Sequence, residues 1–227
     1  MLRHALRPPY TGRVGRVVTL ATGAEARMTN GGGGRAVVLV NGGQRREVAG
    51  TWSTTLEFLV GRLAPAFPSL GFVEVRYRVK SWRRLDSCIE DTRAAVEAGG
   101  GRRTLLLGFS MGGAVAIASS AEPGVEGVLG LAPWIPDRLD LGPLRGKRLD
   151  VVHGSLDRAL PGIPGVSPES SRRGFERARE AGIVGSYTLL RGGLHGIALR
   201  AGGLMLPLPR AGAWLDAVAA RLERFAA

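Results

Sequence analysis

The chain has 227 residues, an ordinary length for one α/β domain and enough to bury a large hydrophobic core without disulfides or metals. Its formal net charge is +12, but the cations are scattered arginines and only 6% of residues are aromatic, so specific nucleic-acid binding is not expected. One cysteine excludes an intramolecular disulfide and fits a cytoplasmic protein, and no apolar run approaches the ~18 residues of a membrane helix.

The predicted elements begin with two strands, at 14–20 and 24–28, that form a hairpin before a glycine run at 31–34. Short apolar strands then alternate with helical segments. The strands are predicted at 37–40, 73–77, 104–107, 127–131, 149–153 and 187–190, and the helices at 52–66, 84–98, 112–121, 168–181 and 210–226. This alternation predicts one α/β domain over residues 1–227, with a mainly parallel sheet covered by helices on both faces.

The motif Gly-x-Ser-x-Gly stands between a predicted strand and a predicted helix, with Ser110 at its centre. This is the setting of a nucleophile elbow, a sharp strand-to-helix turn that exposes a serine hydroxyl. Gly108 and Gly112 occupy the places where only a residue without Cβ lets the turn and the following helix approach each other. A chance match is the alternative, because the chain contains 35 glycines.

A serine hydroxyl needs a histidine to accept its proton, and the chain has three. His4 lies in a basic N-terminal segment, and His153 ends a predicted strand. His195 lies in a glycine-rich loop after the predicted strand at 187–190, where catalytic groups collect in open α/β sheets. We therefore expect His195 to be the base.

An acidic residue must orient that histidine, and Asp157 is our first choice. It lies in the loop after the predicted strand at 149–153, and the order Ser110, Asp157, His195 is the one expected for this kind of sheet. Asp137 and Asp140 follow an earlier strand and remain alternatives.

With these three segments in this order, the chain resembles the small serine hydrolases of the α/β-hydrolase family, from about residue 37 to the C-terminus. The resemblance implies that the loop after the strand at 37–40 supplies one oxyanion-hole N–H, from Gly43, and that Met111 supplies the other. Gln44 is the nearby alternative and a substrate-binding candidate. Asn41 stands where the family usually has histidine.

The connection between 131 and 149 is too short for a helical cap domain, so we expect a minimal lid and an exposed site. Trp134 and Ile135 are predicted as apolar walls of the acyl pocket, with Leu160 or Ile163 as further candidates. Each could equally be an ordinary packing residue. If a lid exists, the segments at 159–168 and 202–209 are its candidates.

These features predict a serine hydrolase that cleaves small or medium carboxylic esters through an acyl-enzyme intermediate, without a cofactor or metal. An acyltransferase or thioesterase with the same triad is the alternative enzyme, and a non-catalytic binding protein of the same fold is the alternative from another class. Cys88 lies in the predicted helix at 84–98 and is expected to be a packing thiol. The sequence predicts a small-molecule ester as substrate and leaves the oligomeric state open.

Overall fold

The computed structural model describes residues 15–31, 34–100, 103–158 and 165–227, and within these ranges the chain forms twelve strands and five α-helices. The strands are β1 Arg16–Thr19, β2 Glu25–Thr29, β3 Arg35–Val40, β4 Val48–Ala49, β5 Gly71–Arg76, β6 Val79–Lys80, β7 Arg103–Phe109, β8 Val125–Leu131, β9 Arg148–Gly154, β10 Val184–Leu190, β11 Ala198–Ala201 and β12 Leu204–Pro207. The helices are α1 Thr54–Leu63, α2 Leu85–Ala98, α3 Met111–Ala118, α4 Pro168–Glu180 and α5 Ala211–Ala226.

Eight strands form one central sheet in the order β1-β2-β5-β3-β7-β8-β9-β10. The hairpin of β1 and β2 is antiparallel, as predicted, and β2 pairs antiparallel with β5. From β5 to β10 every neighbouring pair is parallel. The prediction of a mainly parallel sheet between helices is confirmed.

Two hydrophobic clusters cover the two faces of this sheet, and β3 shows how the chain divides between them. Val38 and Val40 belong to the cluster that α2, α3 and α4 cover, whereas Val37 and Leu39 belong to the cluster under α1 and α5. Successive side chains of a strand point to opposite faces, so an uninterrupted apolar run is what a strand buried on both faces requires.

Two small strand pairs were not predicted. β4 pairs with β6 over two residues each, which is too short for any hydrophobic period to be visible. The hairpin of β11 and β12 turns at Gly202 and Gly203, both with positive φ, and its leucines are largely exposed. Ala198 and Met205 pack against the cluster under α1 and α5 while most of the hairpin is exposed, so the alternation of apolar and polar residues that would predict a strand is weak there.

The carboxyl ends of the parallel strands place the loops after β3, β7, β9 and β10 at one edge of the sheet, which is where open α/β sheets bind ligands. The connection between β8 and β9 contains one short 3₁₀ turn, Gly142–Leu144. No helix within the described ranges is both long and apolar enough to cross a membrane.

Candidate active site

Ser110 lies at the turn between β7 and α3, in a backbone conformation that non-glycine residues rarely adopt. Its φ is 55° and its ψ is −121°. Three backbone hydrogen bonds hold this conformation: the Ser110 N–H donates to the Leu131 carbonyl at 3.0 Å, and the Ser110 carbonyl accepts from Gly113 and Trp134, each at 2.9 Å. Strain of this kind, on the order of 1–3 kcal/mol, persists only where the surroundings enforce it.

Gly108 and Gly112, the two glycines of the motif, must be glycines because a Cβ at either position would overlap backbone atoms. A Cβ on Gly108 would overlap the Gly112 carbonyl oxygen, and a Cβ on Gly112 would overlap the Val40 carbonyl oxygen at the end of β3. The turn therefore packs directly against the neighbouring strand, and the hydroxyl of Ser110 is presented at the edge of the sheet. This geometry is that of a nucleophile elbow.

Gly43 and Met111, the two candidate oxyanion-hole donors, lie side by side. A Cβ on Gly43 would collide with the Met111 side chain, so the loop after β3 passes directly over the start of α3. Neither residue's N–H donates to another described backbone group outside the regular elements, and Met111 is the first residue of its helix, where an N–H has no intrahelical acceptor. These two N–H groups remain the candidates for an oxyanion hole at Ser110.

Asp157 and His195 are in direct contact. Oδ2 of Asp157 lies 2.7 Å from Nδ1 of His195, and the Asp157 side chain is fully buried. An ionised carboxylate only accepts hydrogen bonds, so Nδ1 carries the proton and Nε2 is left as the acceptor. Burial on its own would raise the pKa of Asp157, but the hydrogen bonds from the two imidazoles of His153 and His195 outweigh it and hold that pKa below its usual range.

The loops that carry Asp157 and His195 are joined by their backbones. The Leu156 N–H donates to the Gly193 carbonyl at 2.9 Å, and a Cβ on Gly154 would overlap that same carbonyl. On the far side of His195, the Ile197 N–H donates to Oγ1 of Thr55 at 3.2 Å, which anchors the loop to α1. The glycines at the ends of these strands thus let the loops of Asp157 and His195 approach each other.

His153, which ends β9, is a second histidine on the same carboxylate. Its Nε2 lies 2.9 Å from Oδ2 of Asp157 and 2.9 Å from the Val166 carbonyl. Both neighbours are acceptors, so Nε2 carries the proton. Its Nδ1 lies 2.6 Å from Oγ of Ser171, which in turn lies 2.8 Å from the hydroxyl of Tyr187. This chain of hydrogen bonds therefore holds the same carboxylate oxygen, Oδ2, that His195 contacts.

The alternative acids lie elsewhere in the structure. Asp137 is 83% exposed and 3.5 Å from Arg177, and Asp140 accepts from the Gly142 N–H in a turn.

Cys88 is buried in α2, where its thiol donates to the Val79 carbonyl, and burial raises its pKa to about 11. His4 lies outside the described residues.

Ser110 and His195 line one open cavity of about 350 Å³. Phe109 packs against the His195 ring, with 5.0 Å between the ring centroids. No hydrogen bond joins Ser110 to His195 among the described contacts; in enzymes such bonds often tighten only when substrate binds. The cavity is lined mainly by polar groups, namely Asn41, Gly42, Gly43, Thr51, Trp52, Ser53, Thr54, Thr55, Lys80, Phe109, Ser110 and His195.

The residues predicted as apolar walls are not among those that line this cavity. Ile135 is buried in the core against Gly174, and Trp134 packs against the same cluster. Gln44 uses its backbone carbonyl to accept from the Trp82 N–H. The structure therefore gives Ile135 a packing role, while Leu160 and Ile163 lie outside the described residues.

From the sequence, no site role was assigned to His153, Lys80 or Thr51, and no contact was assigned to Asn41. His153 was set aside as a strand end, although it stands four residues before Asp157 across a glycine turn. Lys80 and Thr51 line the cavity; Lys80 lies on β6, whose two-residue pairing with β4 the sequence does not indicate. Asn41 donates to the Thr51 carbonyl at 2.8 Å and so holds the same loop.

Comparisons with known proteins agree with this architecture. No protein-family model matches the sequence, and no curated protein is similar to it in sequence. Among solved structures, the α/β hydrolase MGS-M1 from a Medee basin deep-sea metagenome library has a TM-score of 0.66 and 15% identity, covering 94% of this chain and 98% of its own.

Two further solved structures carry esterase names. The esterase EaEST from Exiguobacterium antarcticum has a TM-score of 0.62 and 12% identity, over 92% of this chain and 99% of its own. The carboxylesterase Cest-2923 from Lactobacillus plantarum WCFS1 has a TM-score of 0.61 and 14% identity, over 92% and 96%. Strand order, nucleophile-elbow geometry and these likenesses lead to one conclusion: the chain has the α/β-hydrolase fold.

Proposed function

We propose that the protein is a serine hydrolase that cleaves small carboxylic esters. The observation that carries this proposal is the fully buried Asp157 carboxylate, 2.7 Å from Nδ1 of His195, beside a cavity that His195 shares with Ser110. The esterase names of several structural neighbours support the same reading.

In the proposed reaction, Oγ of Ser110 attacks the ester carbonyl carbon while Nε2 of His195 accepts the hydroxyl proton. The carbonyl oxygen becomes an oxyanion that accepts hydrogen bonds from the N–H groups of Gly43 and Met111. When the intermediate collapses, the bond to the alcohol breaks and His195 returns the proton to the leaving oxygen.

The resulting acyl-enzyme is cleared by water in the same way. His195 takes a proton from the water as it attacks, and the proton then returns to Oγ of Ser110 as the acid product leaves. Asp157 stays ionised throughout and stabilises the imidazolium form of His195. The low pKa of Asp157 suits this role, because the carboxylate keeps its charge at neutral pH.

A panel of nitrophenyl esters and the matching thioesters tests the proposal. We expect steady ester hydrolysis by the purified protein and its loss in Ser110→Ala. If the protein turns over only the thioesters, its substrate is a thioester and not an ester. Turnover that survives in Ser110→Ala would contradict the assignment of Ser110 as the nucleophile.

A further inference from the structure

The candidate active-site cavity contains a cation that the hydrolysis of a simple ester does not use. Lys80 lies on β6 and lines the cavity together with Ser110 and His195. Its Nζ donates to Oγ1 of Thr51 at 3.3 Å, and none of the carboxylates in the described residues forms an ion pair with it.

Lys80 differs in this respect from the arginines with which the chain builds its charge network. Arg27, Arg78, Arg103 and Arg148 each pair with a carboxylate at 2.5–2.8 Å. Partial burial without a counter-charge disfavours the ammonium form, and accordingly the pKa of Lys80 is lowered by desolvation. An anion placed beside Lys80 would reverse this effect, because opposite charge favours the charged form.

The rest of the cavity also favours an anion over a long apolar chain. Its lining contains hydroxyl and amide side chains and no aspartate or glutamate. Ser53 caps α1, so the positive end of that helix dipole faces the same space.

We infer that the substrate is an ester that carries an anionic group, a carboxylate or a phosphate, which pairs with Lys80 while the scissile carbonyl lies at Ser110. The inference rests on the proposed ester hydrolysis. It makes Lys80 a specificity-determining residue, since an ion pair in a partly desolvated cavity binds the anionic substrate and offers nothing to its neutral counterpart.

The test compares matched esters that differ in charge. The first pair is the nitrophenyl monoester of glutaric acid and nitrophenyl pentanoate, with the anion on the acyl side. The second pair is the butyryl ester of 2-hydroxyethyl phosphate and ethyl butyrate, with the anion on the alcohol side. The measured quantity is the ratio of kcat/KM for the anionic ester to kcat/KM for the neutral ester.

In the wild-type protein we expect this ratio to exceed about ten in at least one pair, the effect of one charge-assisted hydrogen bond. Lys80→Met should lower that ratio about tenfold, and Lys80→Arg, which keeps the charge, should largely preserve it. Lys147→Met is the matched control, because the chain's only other lysine donates to the carbonyls of Ser120 and Val125 instead. The pair that responds shows whether Lys80 favours a carboxylate on the acyl side or a phosphate on the alcohol side.

A ratio that is the same in the wild type and in Lys80→Met for both pairs would overturn the inference and leave the proposed hydrolysis standing. Failure to hydrolyse any of the four esters would instead contradict the proposed function, and the inference would fall with it.

Discussion

Oδ2 of Asp157 lies 2.7 Å from Nδ1 of His195, although the two residues belong to loops after different strands and are separated by 38 positions in the sequence. The contact exists because β9 and β10 are parallel neighbours whose carboxyl ends meet at one edge. It leaves Nε2 of His195 as the only ring nitrogen able to accept a proton.

The first prediction concerns this contact. Asp157→Asn should lower kcat by a factor of about 10⁴, because an amide can donate to Nδ1 and so hold the imidazole in the wrong tautomer. Steady-state kinetics with nitrophenyl butyrate measures the effect. Asp137→Asn and Asp140→Asn are the controls and should change kcat little, since both carboxylates are on the surface. A comparable loss of kcat in either control would show that the acid lies in the loop after β8.

The second prediction concerns His153 as a positioning residue. His153→Leu removes the N–H that lies 2.9 Å from Asp157, and kcat should fall roughly tenfold with little change in KM, in line with hydrogen bonds to charged groups. His153→Gln keeps an N–H donor and should recover much of the loss. If both variants lowered Tm equally but left kcat unchanged, His153 would have a structural role only.

The third prediction tests the close packing of the elbow. Gly112→Ala should lower the free energy of unfolding by ~1–3 kcal/mol, because the new methyl group would overlap the Val40 carbonyl. Gly212→Ala is the matched control: its Cβ meets no described atom within 4 Å, and in α5 alanine should be neutral or stabilising by up to ~1 kcal/mol. Urea unfolding measures both, and equal effects would contradict the close approach of α3 to β3.

The fourth prediction follows from the size and polarity of the cavity. Nitrophenyl acetate and butyrate should have higher kcat/KM than the dodecanoate, since each methylene contributes ~0.8 kcal/mol only if a pocket wall removes it from water. No rate increase is expected when the substrate forms an emulsion. A preference that rises through long chains would show that another segment, such as the exposed hairpin of β11 and β12, covers the site.

Much of the fold could be predicted from the sequence because the core strands are short, mostly apolar segments that alternate with longer helical segments. Every predicted core strand overlaps a strand of the sheet, and each of the five helices begins within two residues of its predicted first residue. The pair of β4 and β6 is too short to show a hydrophobic period, and most of the hairpin of β11 and β12 is exposed, so its residues show no regular alternation.

The place of the candidate site could be predicted, because loops at the carboxyl ends of parallel strands meet at one edge of the sheet. Ser110, Asp157 and His195 each follow a parallel strand, so the sheet brings their loops to one edge. Lys80 was not predictable, because it reaches the cavity through a pairing of two residues. Ile135 was expected at a pocket wall, but an apolar side chain after a strand end can equally turn inward, and the tight approach of Gly174 lets it do so.

The nucleophile is the central claim, and intact-protein mass spectrometry after exposure to a fluorophosphonate tests it most directly. The account predicts one covalent adduct per chain, located on Ser110 and abolished in Ser110→Ala. Cys88→Ala is the control and should label as the wild type does, because the Cys88 thiol is buried and its pKa of about 11 keeps it protonated at neutral pH. An unlabelled wild-type protein, or an adduct that persists in Ser110→Ala, would contradict the account.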